Sequence, residues 1–558
     1  MRGTEALAVA LARSGVDVAF GLAGSSNFRL INAIREAGID YCPACHEAGA
    51  VAMADGYARA SGRVGVASVH QGPGVTNTAT PLAEAVKSGT PLLLLAPEAD
   101  DDGRHANQAL DPLPLAAAVG ARAMRIESPE SAAAEAATAL HVAATERSPV
   151  VLAFRPEPLE RRVPGNEAEP FAPPRWLPRG PAAARGVARL AAALETARRP
   201  LIVAGRGAVL AGAAPALRDL AERAGAVLAT TITAKGLFAD DPFSIGFLGG
   251  LASPLATELA READLLIGFG TSLDHWTTCG GRVPGPDAQI ALVDDDPDAL
   301  SRRPASSIAV LGDAAATATA LAAELGPAPG RRGWRSAEIA ERIATDEPFV
   351  PDSPHDPPAM LDPHALSRSL DRLLPADRTV ALDSGHFLAF PSIHVGSPDG
   401  RSFIFAQGFQ SVGLGLGVAI GASVASPGRI VAAMIGDGGA KMSLLELDTA
   451  IRLSLPLVVV VFDDGGYGAE VHDFEALGIP VEIARFPSRD YAGVARALGA
   501  EAATVHSLDD LDSLGSWVES PTGPLLLDCK VDPNVNAADA LTEEGAAEWS
   551  MATLTPSG

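Results

Sequence analysis

At 558 residues, with 68 acidic against 43 basic side chains and a net charge of −25, the chain is sized for about three domains. Its charge has the wrong sign for nucleic acid or an anionic membrane surface. Four cysteines make no disulfide framework, MRGTEALAVALARSG at the start lacks an apolar core and cleavage site, and no apolar run nears the roughly 18 residues of a membrane span, so a cytoplasmic protein is expected.

In chain order, helical spacing over Thr4–Ser14 leads to a short strand, Val16–Phe20, and the turn GLAGSSN. A helix over Phe28–Ala37 follows, then an extended piece ending at His46-Glu47 and an alanine-rich helix. Strand Val64–Val69 runs into HQGPGVTN, and another helix precedes strand Pro91–Ala96. Repeated strand-turn-helix units predict a parallel, doubly wound sheet. The same rhythm returns in RPLIVAGRGAVLAG, ADLLIGFGTSLDHW and QIALVDDDPDAL, and again from Thr379 onward. Proline-rich, poorly periodic stretches separate the three series. The expectation is therefore α/β, with three doubly wound parallel-sheet domains at 1–165, 186–326 and 356–535. Linkers at 166–185 and 327–355 and a C-terminal tail or partial lid at 536–558 complete the layout.

The chemistry concentrates in IGDGGAKMSLLELDTAIRLSLPLVVVVFDDGGYGAE, from Ile435 to Glu470. Strand Arg429–Ile435 ends in Gly436-Asp437-Gly438-Gly439, and strand Leu457–Phe462 ends in Asp463-Asp464-Gly465-Gly466-Tyr467. A right-handed crossover brings both strand ends to one sheet edge, so Asp437 and Asp464, 27 positions apart, face the same crevice. Carboxylates, a backbone carbonyl such as that of Gly466, and glycines that admit phosphate suit an octahedral Mg2+ holding a diphosphate. This stretch resembles the thiamin diphosphate (ThDP) motif, a GDG followed some two dozen residues later by an Asn pair. The first Asn is Asp463 here, which adds negative charge beside a diphosphate unless it turns away into hydrogen bonds.

ThDP acts after loss of its C2 proton to give an ylid, and the deprotonation needs a poorly hydrated carboxylate at its aminopyrimidine. Glu47, in ACHEAGAVA, fits that requirement. HEAGAVAMADGYARASG followed by HQGPGVTN, together with the GDGG and DDGGYG segments, resembles the ThDP-dependent 2-oxo acid decarboxylases and carboligases. That family includes acetolactate synthase, pyruvate oxidase and benzoylformate decarboxylase, and the resemblance covers nearly the whole chain. It implies pyrimidine-binding, central Rossmann-like and diphosphate-binding domains in that order. It further implies a homodimer or homotetramer in which one subunit's glutamate meets the cofactor held by another.

By the same resemblance, GFQSVGLG implies Val412 as the apolar prop under the bent cofactor and the Gln410 carbonyl as acceptor of its amino group. The family usually has glycine at the latter position. Gly74 and Asn77 belong to the pyrimidine side, and His386 and Tyr467 to the diphosphate side. His70 and, more loosely, His275 and Ser25 resemble the catalytic histidines and serine of benzoylformate decarboxylase. Glu470 matches the glutamate of pyruvate and indolepyruvate decarboxylases. Gln108, with His105 close by, resembles the glutamine of acetolactate synthase. The implied substrate is a 2-oxo acid, with an aldehyde or second oxo acid as possible acceptor, and acetolactate synthase-like carboligation is the nearest alternative.

Blander readings accompany several of these residues. His70 at a strand end also suits a structural hydrogen bond, and Glu470 a first-turn helix position. Cys42-Pro-Ala-Cys45 has redox spacing but no helix start at its first Cys. GRGAVLAG lacks the GxGxxG spacing of a nucleotide fold, and without an arginine-rich central segment FAD is not expected. Asp463 and Gln410 are the two features that favour a non-catalytic relic of the fold.

Overall fold

The computed structural model describes residues 1–99, 107–163, 180–301, 307–327, 333–347 and 360–541. His105, residues 166–179 of the first expected linker, 328–332 and 348–355 of the second, and the tail beyond 541 lie outside them; the described part of the second linker folds into a helix, Ala337–Ala344. Among the described residues, eighteen strands form three six-stranded sheets, every pairing within them parallel. The expected fold class is therefore the observed one.

Strands Val18–Gly21, Asp40–Pro43, Gly65–Ser68, Leu92–Pro97, Arg122–Arg125 and Pro149–Phe154 (β1 to β6) run in the order β2-β1-β3-β4-β6-β5. The central sheet uses Pro200–Ala204, Val227–Thr231, Ser244–Leu248, Leu265–Phe269, Gln289–Asp294 and Ile308–Leu311 (β7 to β12), ordered β12-β11-β10-β7-β8-β9. Arg378–Leu382, Phe403–Phe405, Ile430–Gly436, Leu457–Asp463, Glu501–Val505 and Leu525–Lys530 (β13 to β18) make the third sheet, ordered β14-β13-β15-β16-β18-β17. Continuous apolar runs such as LLLLAP and LVVVVFD are buried along their length, as strands covered on both faces must be.

The winding reverses between β1 and β3, β7 and β10, and β13 and β15, and the two outer sheets turn back once more at their far edge, where β6 and β18 insert inside β5 and β17. Loops leaving the carboxyl ends of strands at such a reversal splay apart and open a crevice. Those crevices hold most of the residues singled out in the sequence.

Two helices join the outer sheets. Glu47–Ser61 (α1) packs along Gly415–Ala425 (α2), and one hydrophobic core runs from Phe20 and Met53 through Val418 to Val459. The backbones touch because glycine sits at the crossing. A Cβ on Gly56 would strike the Val418 carbonyl, and one on Gly421 the Met53 carbonyl. Among the described residues, no helix is long and apolar enough to cross a membrane.

Candidate active site

The N-terminal crevice gathers Glu47 with the loops that follow β1 and β3. His46 caps α1, its Nδ1 accepting from the Ala48 N–H at 3.0 Å, so Glu47 occupies the first helical position. Glu47 is 8% exposed, and its Oε2 accepts from Asn77 Nδ2 at 3.0 Å. Gly74 lies against both Glu47 and His70, where a side chain would crowd the carboxylate.

His70 is held from both sides, Nδ1 2.6 Å from Ser26 Oγ and Nε2 3.2 Å from Gln108 Oε1. The Gln71 N–H donates to Ser26 Oγ and Gln71 Nε2 donates to Gln108 Oε1, so the network assigns the ring proton to Nε2. Ser26, which the sequence reading passed over, makes this contact; Ser25 beside it is exposed. Backbone direction in the turn separates the two serines, and residue spacing does not carry that information.

The C-terminal crevice lies across the ends of β13, β15 and β16. Gly436 pairs in register with Phe462, so Asp437 and the Asp463-Asp464 pair leave adjacent strand ends together. Asp437 is 1% exposed, and its Oδ2 has no hydrogen-bond partner. Burial first, then the charges of Asp464 and Asp463, push its carboxyl up to about 9. Burial likewise lifts Asp464 to about 6, although the Gly466 N–H donates to its Oδ1 at 3.2 Å. Crowded, desolvated carboxylates of this kind favour a divalent cation, whose charge reverses the local balance. No cluster of three or more His, Cys, Asp or Glu that could hold a metal forms among the described residues. A cation here would complete its shell with a carbonyl, phosphate oxygens and water, which suits Mg2+.

A cavity of about 770 Å3 opens over this crevice. Gly436, Asp437, Gly438, Gly439, Asp464 and Gly466 line its floor. Tyr467, Glu470, His386, Gln410 and Val412 surround them, with segments of the central sheet's loops opposite. Glu470 is exposed in the first turn of helix Gly468–Ala476 (α3). His386 is buried, its Nε2 accepting from the Ala537 N–H at 2.9 Å, and burial followed by the neighbouring His472 brings it down to about 3. The imidazole is thus neutral. Gln410 holds φ at 57°, the left-handed region that costs a residue with a Cβ on the order of 1 kcal/mol. That backbone accounts for the expectation of glycine at 410.

Two carboxylates unmarked in the sequence reading hold these parts in place. Asp383, at the end of β13 and fully buried, accepts from the N–H groups of Gly413, Leu414 and Gly415 at 2.9 to 3.2 Å, fixing the turn after Val412. Glu446 accepts from the backbone N–H of Cys45 at 3.0 Å and of His46 at 2.9 Å, tying the loop before Glu47 to the third domain. Asp383 carried the strand-end signal used for Asp437; Glu446 carried none.

Glu47, Asn77, His70 and Gln108 do not line the large cavity, and neither does His275, although its neighbours Asp274 and Trp276 do. Cys42 is buried in β2, Cys45 is exposed, and both are free thiols.

Three doubly wound units, with a buried glutamate in the first crevice and paired carboxylates in the third, define a three-domain α/β protein with two separate half-sites. Residues 1–117 match the thiamine pyrophosphate enzyme N-terminal TPP binding domain, 187–321 the central domain and 383–529 the C-terminal TPP binding domain. A probable 2-ketoarginine decarboxylase of Pseudomonas aeruginosa is 33% identical over 91% of this chain and 90% of its own. Acetolactate synthase isozyme 2 large subunit of Escherichia coli is 29% identical over 99% of both. A sulfoacetaldehyde acetyltransferase of Castellaniella defragrans is 29% identical over 92% of this chain and 89% of its own. The chain belongs to the thiamine pyrophosphate enzyme family.

Proposed function

We propose that the protein is a ThDP- and Mg2+-dependent enzyme that cleaves or forms the carbon–carbon bond next to the carbonyl of a 2-oxo acid. The observation that carries this reading is the buried Asp437–Asp464 pair, with an orphaned carboxylate oxygen, at adjacent strand ends beside a glycine-lined cavity. Bound ThDP supplies a nucleophilic carbon for carbonyl substrates.

Asp437, Asp464 and the Gly466 carbonyl would hold the cation. Val412 would shape the cofactor's conformation, while the Gln410 carbonyl accepts from its amino group. Glu47, kept from water and oriented by Asn77, would hold the proton at the aminopyrimidine ring. His70, with Ser26 on Nδ1 and Gln108 on Nε2, is arranged to pass a proton to or from a substrate oxygen. Glu470, at the cavity rim, is a second group for that exchange. Ser25 and His275 remain further from the chemistry in this arrangement.

Glu47 and the cradle do not share a cavity within one chain, which favours a homodimer or homotetramer in which a second copy delivers its glutamate to the cradle. Exposed Met442, Leu445 and Ile483, the last 97% exposed, flank the cradle and give such a copy an apolar surface to cover. Carboligation of the acetolactate synthase kind, or acetyl transfer, is a second reading, favoured by Gln108 on His70 and by the similarity to an acetolactate synthase and a sulfoacetaldehyde acetyltransferase. The non-catalytic relic is not favoured, because both half-sites retain their acid and base groups.

Screening 2-oxo acids for CO2 release, with and without an aldehyde acceptor, tests the reading. It expects at least one acid to react only when ThDP and Mg2+ are both present. Turnover without ThDP would overturn it.

A further inference from the structure

The cradle contains one carboxylate more than a metal site needs. Asp463 ends β16 immediately before Asp464, and its side chain is fully buried. One oxygen, Oδ2, accepts from Lys530 Nζ and from Ser488 Oγ, both at 2.5 Å. The other, Oδ1, finds no donor, and the Asp463 charge acts on both Asp437 and Asp464. The expectation that Asp463 turns away into hydrogen bonds therefore describes half of the carboxylate.

Lys530 is placed by strand register. β16 and β18 pair so that Asp463 stands opposite Lys530 at the ends of both strands. Its ammonium also lies 2.8 Å from Asp528 Oδ1 and donates to Ser488 Oγ at 3.0 Å and to the Arg489 carbonyl at 2.6 Å. Asp528 in turn accepts from the Tyr491 N–H, and the Tyr491 hydroxyl donates to the Asp437 carbonyl at 3.2 Å. The network thus closes back on the metal-side residue. Lys441 and Arg489 also carry positive charge near these acids, but both are exposed. Lys530, its side chain 13% exposed, is the cation that meets Asp463 within the protein.

A bare carboxylate at 463 would repel a diphosphate held a few ångströms away, and low dielectric would magnify the repulsion. We propose that Lys530, shared with Asp528, is the counter-ion that makes Asp463 compatible with the cofactor cradle, offsetting the Asp463 charge beside the metal. This inference rests on the ThDP reading above and assigns Lys530 a positioning role, with no contact to the reacting atoms.

Calorimetric titration of Mg2+-ThDP into four proteins tests it, with thermal melts to check folding: wild type, Lys530→Met, Asp463→Asn and the double variant. Lys530→Met is expected to weaken binding at least about tenfold, as exposing an uncompensated buried charge should. Asp463→Asn should bind no more weakly than wild type, and the double variant should return to within about threefold of it. A strut that merely tethered the Arg489 loop would not be rescued by Asp463→Asn. Should Lys530→Met fail to fold, recovery of both folding and binding in the double variant supports the inference. Equal binding by Lys530→Met and wild type, or a double variant as weak as Lys530→Met, overturns it. If wild type itself binds no Mg2+-ThDP, the cofactor reading fails, and this inference with it.

Discussion

The two crevices of this chain solve opposite electrostatic problems. In the N-terminal one, the polar groups named here find partners within the protein: Glu47 has Asn77, and His70 has Ser26 and Gln108. The C-terminal one is unbalanced. Asp437 and Asp463 each keep a buried oxygen without a donor, and crowding drives the Asp437 and Asp464 carboxyls upward. A site complete by itself is preorganised for chemistry, whereas a site short of positive charge is built to gain a cation. On the proposed reading, the contrast puts the aminopyrimidine proton with the first crevice and cofactor binding with the third.

Substitutions on the two sides should therefore fail differently. Glu47→Gln is expected to lower turnover by on the order of a thousandfold while leaving Mg2+-ThDP affinity within about tenfold of wild type. Asp437→Asn should show the reverse emphasis, with affinity falling about a hundredfold in calorimetry. Equal loss of both parameters in both variants would erase the distinction.

A smaller effect is expected where the crevices are joined. Glu446→Ala removes the shared acceptor of the Cys45 and His46 backbone N–H groups and should cost about 1 kcal/mol, read as a lower denaturant midpoint. Turnover should fall more than affinity, because the loop released is the one before Glu47.

Acid gives the smallest separation. Burial and its neighbour His364 bring His394 in the third domain down to about 3, against an ordinary 6.5. Between those values the unfolded chain binds a proton that the folded chain refuses, so this contribution to stability is lost as pH falls from 6.5 toward 3. The urea midpoint of wild type should therefore drop relative to that of His394→Gln over this window. The raised cradle carboxyls act with the opposite sign in both proteins and cancel in the difference.

Local signals made much of this legible in the sequence. Glycines and carboxylates at strand ends betrayed Asp437 and Asp464, and β-turn-α repetition betrayed the three sheets, because both depend on residues close in the chain. Ser26, Glu446 and Lys530 were not legible for a shared reason. The direction of a turn selects Ser26, a contact across 400 positions selects Glu446, and the register of β18 against β16 selects Lys530. Nothing near them in sequence reports those partners. Gln410 shows the limit from the other side: the absence of glycine was visible, but the left-handed backbone that explains the preference was not.

The central claim is that the two crevices work together only across two chains. Mixing Glu47→Gln with Asp437→Asn, after dissociation and reassembly and at an Mg2+-ThDP concentration that fills wild-type sites but leaves Asp437→Asn sites empty, tests it most directly. Half of randomly reassembled dimers are mixed and each restores one intact site of two, so about a quarter of wild-type turnover should return. A mixture that reassembles yet stays inactive would place the whole site within a single chain and contradict the account.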